Sequence, residues 1–179
     1  MLSRREFFSK MRSSTQKDKK PFVPLAPYNF NRDLFYKECL ECEKPCIKAC
    51  DDFCKEGNLK SGILKEIDGV VSVDFSISGC ERCMECAKAC EKGVLDASVE
   101  NSNTNWNFFV RIREDLCLAY QKTLCNSCKD ICQGVNESRD IIKFAGLFYP
   151  EITDKCTGCG FCIAVCPTHS IQIIGEENV

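Results

Sequence analysis

Short runs of alternating apolar and polar residues recur along the chain and predict several short strands. The clearest runs are residues 69–77 (GVVSVDFSI), residues 106–113 (WNFFVRIR) and residues 170–174 (SIQII). A period of two is typical of a strand that buries one face. No apolar stretch reaches the length of a transmembrane helix, so we expect no membrane span.

Pairs of cysteines at helical spacing lie between these runs. A cysteine, three residues and a second cysteine recur four times in the 179-residue chain. Residues four apart lie on the same face of a helix, so each pair predicts a short helix that presents two thiols. The four pairs are Cys46/Cys50, Cys86/Cys90, Cys128/Cys132 and Cys162/Cys166. We call the cysteine groups around them motifs 1 to 4, in chain order.

Motifs 2 and 4 have the complete spacing C-x2-C-x2-C-x3-C, which is the run that bacterial ferredoxins use to hold a [4Fe–4S] cluster. Motif 4 also has a proline, Pro167, directly after its last cysteine. Gly158 and Gly160 permit positive φ, so backbone amides there can point at the cluster. The predicted ligands are Cys80, Cys83, Cys86 and Cys90 in motif 2, and Cys156, Cys159, Cys162 and Cys166 in motif 4.

Motifs 1 and 3 are variants of the same pattern. In motif 3, seven residues separate the first two cysteines instead of two, and in motif 1 one extra residue, next to Pro45, precedes the third. A loop insertion moves a ligand along the chain without forbidding coordination. The predicted ligands are Cys39, Cys42, Cys46 and Cys50 in motif 1, and Cys117, Cys125, Cys128 and Cys132 in motif 3.

One cysteine of the seventeen, Cys54, is left over. It follows Cys50 by one helical turn and shares its helix face. We predict a buried free thiol, because unpaired cysteine behaves as a small apolar residue. The alternative is a substitute ligand or a redox-sensitive residue.

Composition favours metal binding over disulfides, since the seventeen cysteines are odd in number and occur in tight clusters. Zinc in an interaction module is an alternative, but structural zinc does not explain the complete ferredoxin spacing. An enzyme has little support, because His169 is the only histidine and no phosphate-binding glycine motif is present. The net charge of −2 gives no reason to expect nucleic-acid binding.

Residues 1–29 predict a basic, proline-rich arm. Residues 1–20 contain seven basic and two acidic side chains, and residues 3–5 (SRR) resemble a twin-arginine export motif. No apolar region follows this motif, so we reject export and expect a cytoplasmic protein. The arm is either a solvated charged segment or a docking segment for an acidic partner or chaperone. Residues 21–27 (PFVPLAP) predict an extended spacer or a strap over the surface.

The whole arrangement resembles the NapF-type ferredoxin-like proteins of the periplasmic nitrate reductase system. The resemblance rests on the near-terminal SRR, the four cysteine groups and the form CLAYQ…CNSCKDIC of motif 3, and it covers residues 30–175. It implies a cytoplasmic accessory protein that acts on a molybdenum-containing nitrate reductase catalytic subunit, in electron transfer or in maturation. An electron-transfer subunit of another redox complex is the alternative.

The resulting prediction is an α+β fold of tandem bacterial-ferredoxin-like units, with short hairpins and helices around four [4Fe–4S] clusters. After the arm, motif 1 spans residues 30–60, motif 2 residues 71–100, motif 3 residues 107–138 and motif 4 residues 147–176. In two-cluster ferredoxins the fourth cysteine of each run serves the other cluster, so Cys90 or Cys166 can serve a partner motif. Whether neighbouring or nested motifs pair is left open by the sequence.

Overall fold

Short helices and short strands make up the protein in a computed structural model that describes residues 22–98 and 104–176. The helices are α1 (Arg32–Glu38), a 3-10 turn (Cys39–Glu41), α2 (Pro45–Glu56), α3 (Glu85–Lys88), α4 (Ser127–Asn136) and α5 (Phe161–Ala164). The strands are β1 (Leu64–Ile67), β2 (Val70–Val73), β3 (Phe108–Ile112), β4 (Ile142–Ala145), β5 (Phe148–Ile152) and β6 (Ile171–Gly175). This mixture confirms the α+β, ferredoxin-like fold class.

The strands pair as three separate antiparallel two-stranded sheets. β1 and β2 form one hairpin and β4 and β5 another, whereas β3 pairs with the distant β6 in the register Phe108↔Gly175 to Ile112↔Ile171. The predicted strands at 106–113 and 170–174 are therefore confirmed, and they turn out to be partners. The β3–β6 sheet joins the start of motif 3 to the end of motif 4.

The predicted strand at 69–77 is correct only in part. Asp68 and Gly69 both have positive φ and form the turn of the β1–β2 hairpin. An Asp-Gly pair between apolar runs is a strong hairpin signal, which indicates β1 as well as β2. The strand ends at Val73, after which the backbone N–H of Asp74 donates to the carbonyl of Ile63 at 2.8 Å. The following residues lead as a loop into motif 2.

Residues 25–29 are buried and residues 22–24 are half-buried, so the expectation of a strap over the surface is wrong for residues 25–27. Ala26 and Tyr28 have no exposed area, and Leu25 and Asn29 form antiparallel bridges with Ser72 and Leu95. The prolines lack N–H groups, but the intervening residues do not, and their amides find acceptors in the core. The arm at residues 1–20, with its SRR motif, lies outside the described residues.

Thiols occupy much of the interior. One buried cluster collects Cys39, Cys46, Cys50, Cys54 and Cys86 with aliphatic residues of the first half of the chain, and a second centres on cysteines of motifs 3 and 4. Small proteins with few aliphatic core residues need added cross-links or metals for stability. Within the described residues, no helix combines the length and the apolar character that a membrane crossing needs.

Candidate iron–sulfur sites

All seventeen cysteines are free thiols, and they gather around four cavities. The cavities are similar in size, with about 310, 360, 340 and 320 Å³ of empty space in and around sites 1 to 4. Site 1 is lined by Cys39, Cys42, Cys46 and Cys90; site 2 by Cys50, Cys80, Cys83 and Cys86; site 3 by Cys117, Cys125, Cys128 and Cys166; and site 4 by Cys132, Cys156, Cys159 and Cys162.

Motifs 1 and 2 exchange their last cysteines. Helix α2 directs Cys46 to site 1 and Cys50, one turn later, to site 2, while Cys90 of motif 2 reaches back to site 1. Burial, followed by the nearby Cys90 thiol, raises the pKa of Cys46 to about 12. The neighbouring arrangement of motifs 1 and 2 is thus the one that the fold adopts.

Motifs 3 and 4 repeat this exchange. Cys166 lies with Cys128 in site 3, and Cys132 lies with Cys159 in site 4. Burial raises the pKa of Cys132 to about 11, and the Cys159 thiol adds to this increase. Helices α2 and α3 pack together in the first half and both line site 2, and α4 and α5 pack together in the second half and both line site 4.

Left-handed backbone shapes the loops of motifs 2 and 4. The residues on both sides of the second cysteine have positive φ in both motifs: Arg82 (57°) and Met84 (66°) in motif 2, Gly158 (70°) and Gly160 (79°) in motif 4. The expectation for the two glycines is confirmed. In this conformation successive N–H groups turn inward, as in an anion-binding nest. The N–H of Arg82, for example, donates to Cys80 Sγ at 3.4 Å.

The inserted residue of motif 1 takes the same backbone conformation. Lys44 has φ 56°, directly before Pro45 at the first turn of α2. Its N–H donates to Cys42 Sγ at 3.3 Å, as the N–H of Arg82 does in motif 2. The extra residue therefore enlarges the loop, and a backbone N–H still donates a hydrogen bond to a cysteine sulfur.

The long insertion of motif 3 packs as a surface loop. The N–H of Cys117 donates to the carbonyl of Arg113 at 3.1 Å, which holds this cysteine at the end of β3. Farther along, Tyr120 contacts Tyr149 of the β4–β5 hairpin with ring centroids 5.4 Å apart, and Lys122 Nζ lies 3.9 Å from the Tyr149 ring centroid. The loop is thereby anchored, and Cys117 lies in site 3 with Cys125 although they are distant in sequence.

Cys166 is unlike the other thiols. Burial by itself would raise its pKa, but hydrogen bonds from Ser170 and Thr168 outweigh burial and lower the pKa below its ordinary value. Ser170 contributes twice: its hydroxyl lies 3.2 Å and its backbone nitrogen 3.3 Å from Cys166 Sγ. A thiolate at Cys166 is therefore better stabilised than one at Cys128 in the same site, where burial raises the pKa to about 12.

The hydroxyl of Tyr28 tests whether the residues of site 2 fit a bound iron–sulfur cluster. Its side chain lines the site and its hydroxyl is buried without a hydrogen-bond partner. Burial, and then the Cys80 and Cys86 thiols beside it, raises its pKa. Buried hydroxyls in proteins nearly always have a partner. A sulfur-rich group in the cavity would supply that acceptor, so the residues present fit a cluster.

The spacing of the thiols suits a cluster better than a single ion. Among the residues that the structure describes, no group of three or more His, Cys, Asp or Glu side chains is close enough to hold one metal ion. Structural zinc draws four ligands to about 2.3 Å from one centre. A four-iron cluster instead spreads four thiolates around its own volume. Fold and sites together define an iron–sulfur protein of the bacterial-ferredoxin type that binds [4Fe–4S].

Comparison with known proteins identifies the family. A family model described as a 4Fe-4S binding domain matches residues 149–172, which contain the cysteines of motif 4. The ferredoxin-type protein NapF of Escherichia coli (strain K12) is 31% identical over 149 residues, covering 81% of this chain and 80% of that protein. The chain belongs to the NapF family of ferredoxin-type proteins.

Two further relatives extend the comparison. The ferredoxin-type protein NapG of Escherichia coli (strain K12) is 29% identical over 150 residues, covering 78% of this chain and 64% of that protein. The methylamine utilization ferredoxin-type protein MauM of Methylorubrum extorquens is 28% identical over 145 residues, covering 75% of this chain and 63% of that protein. No solved structure matches the chain.

Each of the sixteen predicted ligand cysteines lines one of the four sites, and iron binding by each stays a prediction. Cys54 is buried, as predicted, and it also lines site 2 as a fifth cysteine. His169 is exposed and has positive φ at the turn after motif 4. Three polar residues beside the thiols were not predicted from the sequence: Tyr28, Asn136 and Ser170.

Two of these three residues had a signal in the sequence. Asn136 and Ser170 each follow the last cysteine of a motif by four residues, which places them one helical turn or one tight loop beyond it. Asn136 Nδ2 lies 3.7 Å from Cys132 Sγ and 3.9 Å from Cys159 Sγ. Tyr28 had no such signal, because it precedes the cysteines around it by more than twenty residues.

Proposed function

We propose that the protein carries four [4Fe–4S] clusters in two tandem ferredoxin-like units, one formed by motifs 1 and 2 and one by motifs 3 and 4. The observation that carries this proposal is the recurrence of one arrangement. Each of four similar cavities is lined by three cysteines of its own motif and by one from the neighbouring motif, and Cys54 lines site 2 in addition. Two-cluster ferredoxins exchange their fourth cysteine in this way.

A bound cluster of this type supplies reversible one-electron transfer. The chain's own residues hold it and set its environment. Sixteen thiols would ligate as thiolates, so loading releases protons from cysteines whose pKa values burial has raised. Backbone N–H groups of Lys44, Arg82 and Ser170 donate to ligand sulfurs. These donors orient the ligands before a cluster binds.

The proposed physiological role is that of a cytoplasmic accessory protein for a molybdenum-containing nitrate reductase catalytic subunit, in electron transfer, maturation or both. The family and the arrangement of the cysteine motifs support it. The protein acts as an electron carrier, not as an enzyme in its own right. The likeness to a methylamine utilization protein favours one alternative, a carrier in another redox complex.

Metal content tests the cluster proposal directly. The protein is purified anaerobically, and iron, acid-labile sulfide and zinc are measured together with EPR spectra of the reduced protein. We expect about sixteen iron atoms and equal sulfide per chain, because each cluster contains four of each. A colourless protein with stoichiometric zinc would overturn the proposal, and about eight iron atoms would reduce it to two clusters.

A binding experiment tests the partner. Anaerobic pull-down with the cytoplasmic precursor of the nitrate reductase catalytic subunit should capture the full chain, and a variant without residues 1–20 shows whether the basic arm contributes. If the full chain holds all of its clusters and is still not captured, the nitrate reductase role is contradicted. The cluster proposal is unaffected by that result.

A further inference from the structure

The protein has two halves, one containing motifs 1 and 2 and the other containing motifs 3 and 4. They meet at sites 2 and 4. The backbone N–H of Cys80, in site 2, donates to the carbonyl of Cys159, in site 4, at 2.7 Å. Burial raises the pKa of Cys80 to about 12, and the Cys159 thiol is among the groups that add to this increase. Ligand cysteines of two different sites therefore share a direct hydrogen bond across the boundary.

Close packing fixes this junction. A Cβ added at Gly79 would lie 2.4 Å from the Phe161 ring, and one added at Gly160 would lie 2.2 Å from the Phe75 ring. The Phe75 ring also contacts Trp106 and Phe108 at centroid distances of 6.0 and 5.9 Å. The loops of motifs 2 and 4 therefore approach each other as closely as their backbones permit, with an aromatic group around them.

Site 1 and site 3 are each lined by residues of one half, and none of the junction residues lines either cavity. The cavity of site 1 is lined by residues between positions 35 and 95, and that of site 3 by residues between 112 and 171. Each shares a helix with the inner site of its own half: α2 links sites 1 and 2, and α4 links sites 3 and 4. The spatial order of the sites differs from the order of the motifs in the chain.

We propose that the protein has one continuous electron path in the order site 1, site 2, site 4, site 3, which crosses between halves at Cys80 and Cys159. This inference rests on the proposed function, since it requires clusters in all four sites. One electron moves at each step: the reduced site is oxidised and the next is reduced, and no bond or proton changes. A one-electron donor protein supplies the electron at one outer site and a second redox protein removes it at the other.

Selective removal of clusters tests the order. Cys42→Ser combined with Cys125→Ser removes the clusters of sites 1 and 3 and leaves sites 2 and 4. The matched variant, Cys42→Ser with Cys156→Ser, leaves sites 2 and 3. Both proteins should keep about eight iron atoms per chain. We reduce each with dithionite and record EPR spectra, in which neighbouring reduced clusters broaden and split each other's signals.

The first variant should show coupled signals and the second should show two independent signals. Independent signals in the first variant together with coupled signals in the second would overturn the proposed order. Independent signals in both variants would show that no electron path crosses between the halves. Iron content distinguishes a wrong order of sites from a wrong number of clusters. Too little iron in the unmutated protein would contradict the four clusters themselves, and with them the proposed function. A crystal structure of the loaded, unmutated protein decides the order even where a variant fails to fold.

The orphaned hydroxyl of Tyr28 carries a second, independent inference. We infer that Tyr28 is a positioning residue of site 2, whose O–H donates to a sulfur of the group bound there. Donors to cluster sulfurs favour the reduced, more negative state. Tyr28→Phe should therefore shift the midpoint potential of the site 2 cluster to a more negative value, with iron content unchanged.

The exposed Tyr36 supplies the matched control, because Tyr36 lines none of the four sites and Tyr36→Phe should shift none of the potentials. The signal of site 2 is identified by its loss in Cys83→Ser. An unchanged potential in Tyr28→Phe would overturn the inference. Loss of the site 2 iron would do so as well, since it would show that the hydroxyl supports the fold.

Discussion

Motifs 2 and 4 have identical cysteine spacing and the same left-handed backbone on both sides of their second cysteine, yet they fill those positions with different residues. Motif 4 uses Gly158 and Gly160, whereas motif 2 uses Arg82 and Met84. Side chains other than glycine enter this region at a cost. The loop conformation therefore follows from the cysteine spacing, and glycine is not required for it.

What requires the glycines is the packing outside the loop. A Cβ at Gly158 would lie 2.4 Å from Trp106, and one at Gly160 would lie 2.2 Å from Phe75. Motif 4 faces the aromatic group between the halves, so its loop has no room for side chains. The comparison separates two reasons for a glycine, backbone conformation and close approach, which sequence inspection cannot distinguish.

Gly160→Ala should have the largest effect. The new methyl group combines left-handed strain with a clash against Phe75, and together these cost about 2–5 kcal/mol of unfolding free energy. Urea unfolding of the cluster-loaded protein under anaerobic conditions measures the loss, and iron content shows whether site 4 survives. Stability equal to that of the unmutated protein would mean that the close approach of the halves is not as described.

Cys50→Ser should remove one cluster, whereas Cys54→Ser should not. Both thiols line site 2 and are one helical turn apart. Burial raises the pKa of Cys80, Cys83 and Cys86, and Cys50 is among the neighbouring thiols that add to each increase, whereas Cys54 is not. We expect iron to fall by about four atoms per chain in the first variant and to stay constant in the second.

These two variants are matched in chemistry and differ in position by one turn. If Cys50→Ser keeps its iron and only the double variant loses it, Cys54 is a substitute ligand for site 2. If Cys54→Ser loses iron, the ligand set of motif 1 is wrong.

Ser170→Ala should lower the reduction potential of site 3. Its hydroxyl is 3.2 Å from Cys166 Sγ, whereas Cys90, which has the same place in motif 2, receives a backbone N–H from Leu95 at 3.4 Å. Loss of a hydrogen bond worth about 1 kcal/mol corresponds to about 40 mV for a one-electron couple. An EPR-monitored redox titration measures this change.

Thr168→Ala is the control for Ser170→Ala, because its hydroxyl lies farther from the same sulfur, at 3.8 Å. It should shift the potential of site 3 by less than Ser170→Ala does. Equal shifts in the two variants would show that polarity around the site, and not the short contact of Ser170, sets the potential.

Arg82→Gly should have the smallest effect. It relieves left-handed strain and adds flexibility to the unfolded chain, and these two contributions nearly cancel, leaving a change within about 1 kcal/mol. The measurement is the same urea unfolding as for Gly160→Ala. A loss as large as that of Gly160→Ala would remove the distinction between the two motifs, because it would show that Arg82 has a packing role of its own.

Local spacing made the cysteine chemistry readable from the sequence. Cysteines separated by two or three intervening residues are held by one loop and one helical turn, so motifs 2 and 4 could be predicted without tertiary information. The alternating strands at 106–113 and 170–174 were readable for the same reason. The burial of residues 25–29 could not be predicted, because proline spacing specifies an extended backbone and says nothing about what covers it.

Ligand spacing and strand alternation are local properties of the chain, so the order of the amino acids is enough to indicate a protein built around cysteine clusters of the ferredoxin kind. Three other features emerge only when the chain is folded: the exchange of last cysteines between neighbouring motifs, the contact of Cys80 with Cys159, and the place of Tyr28 beside site 2. The physical reason is that each depends on packing between segments far apart in the chain. Aromatic and backbone contacts that no short motif encodes set this packing.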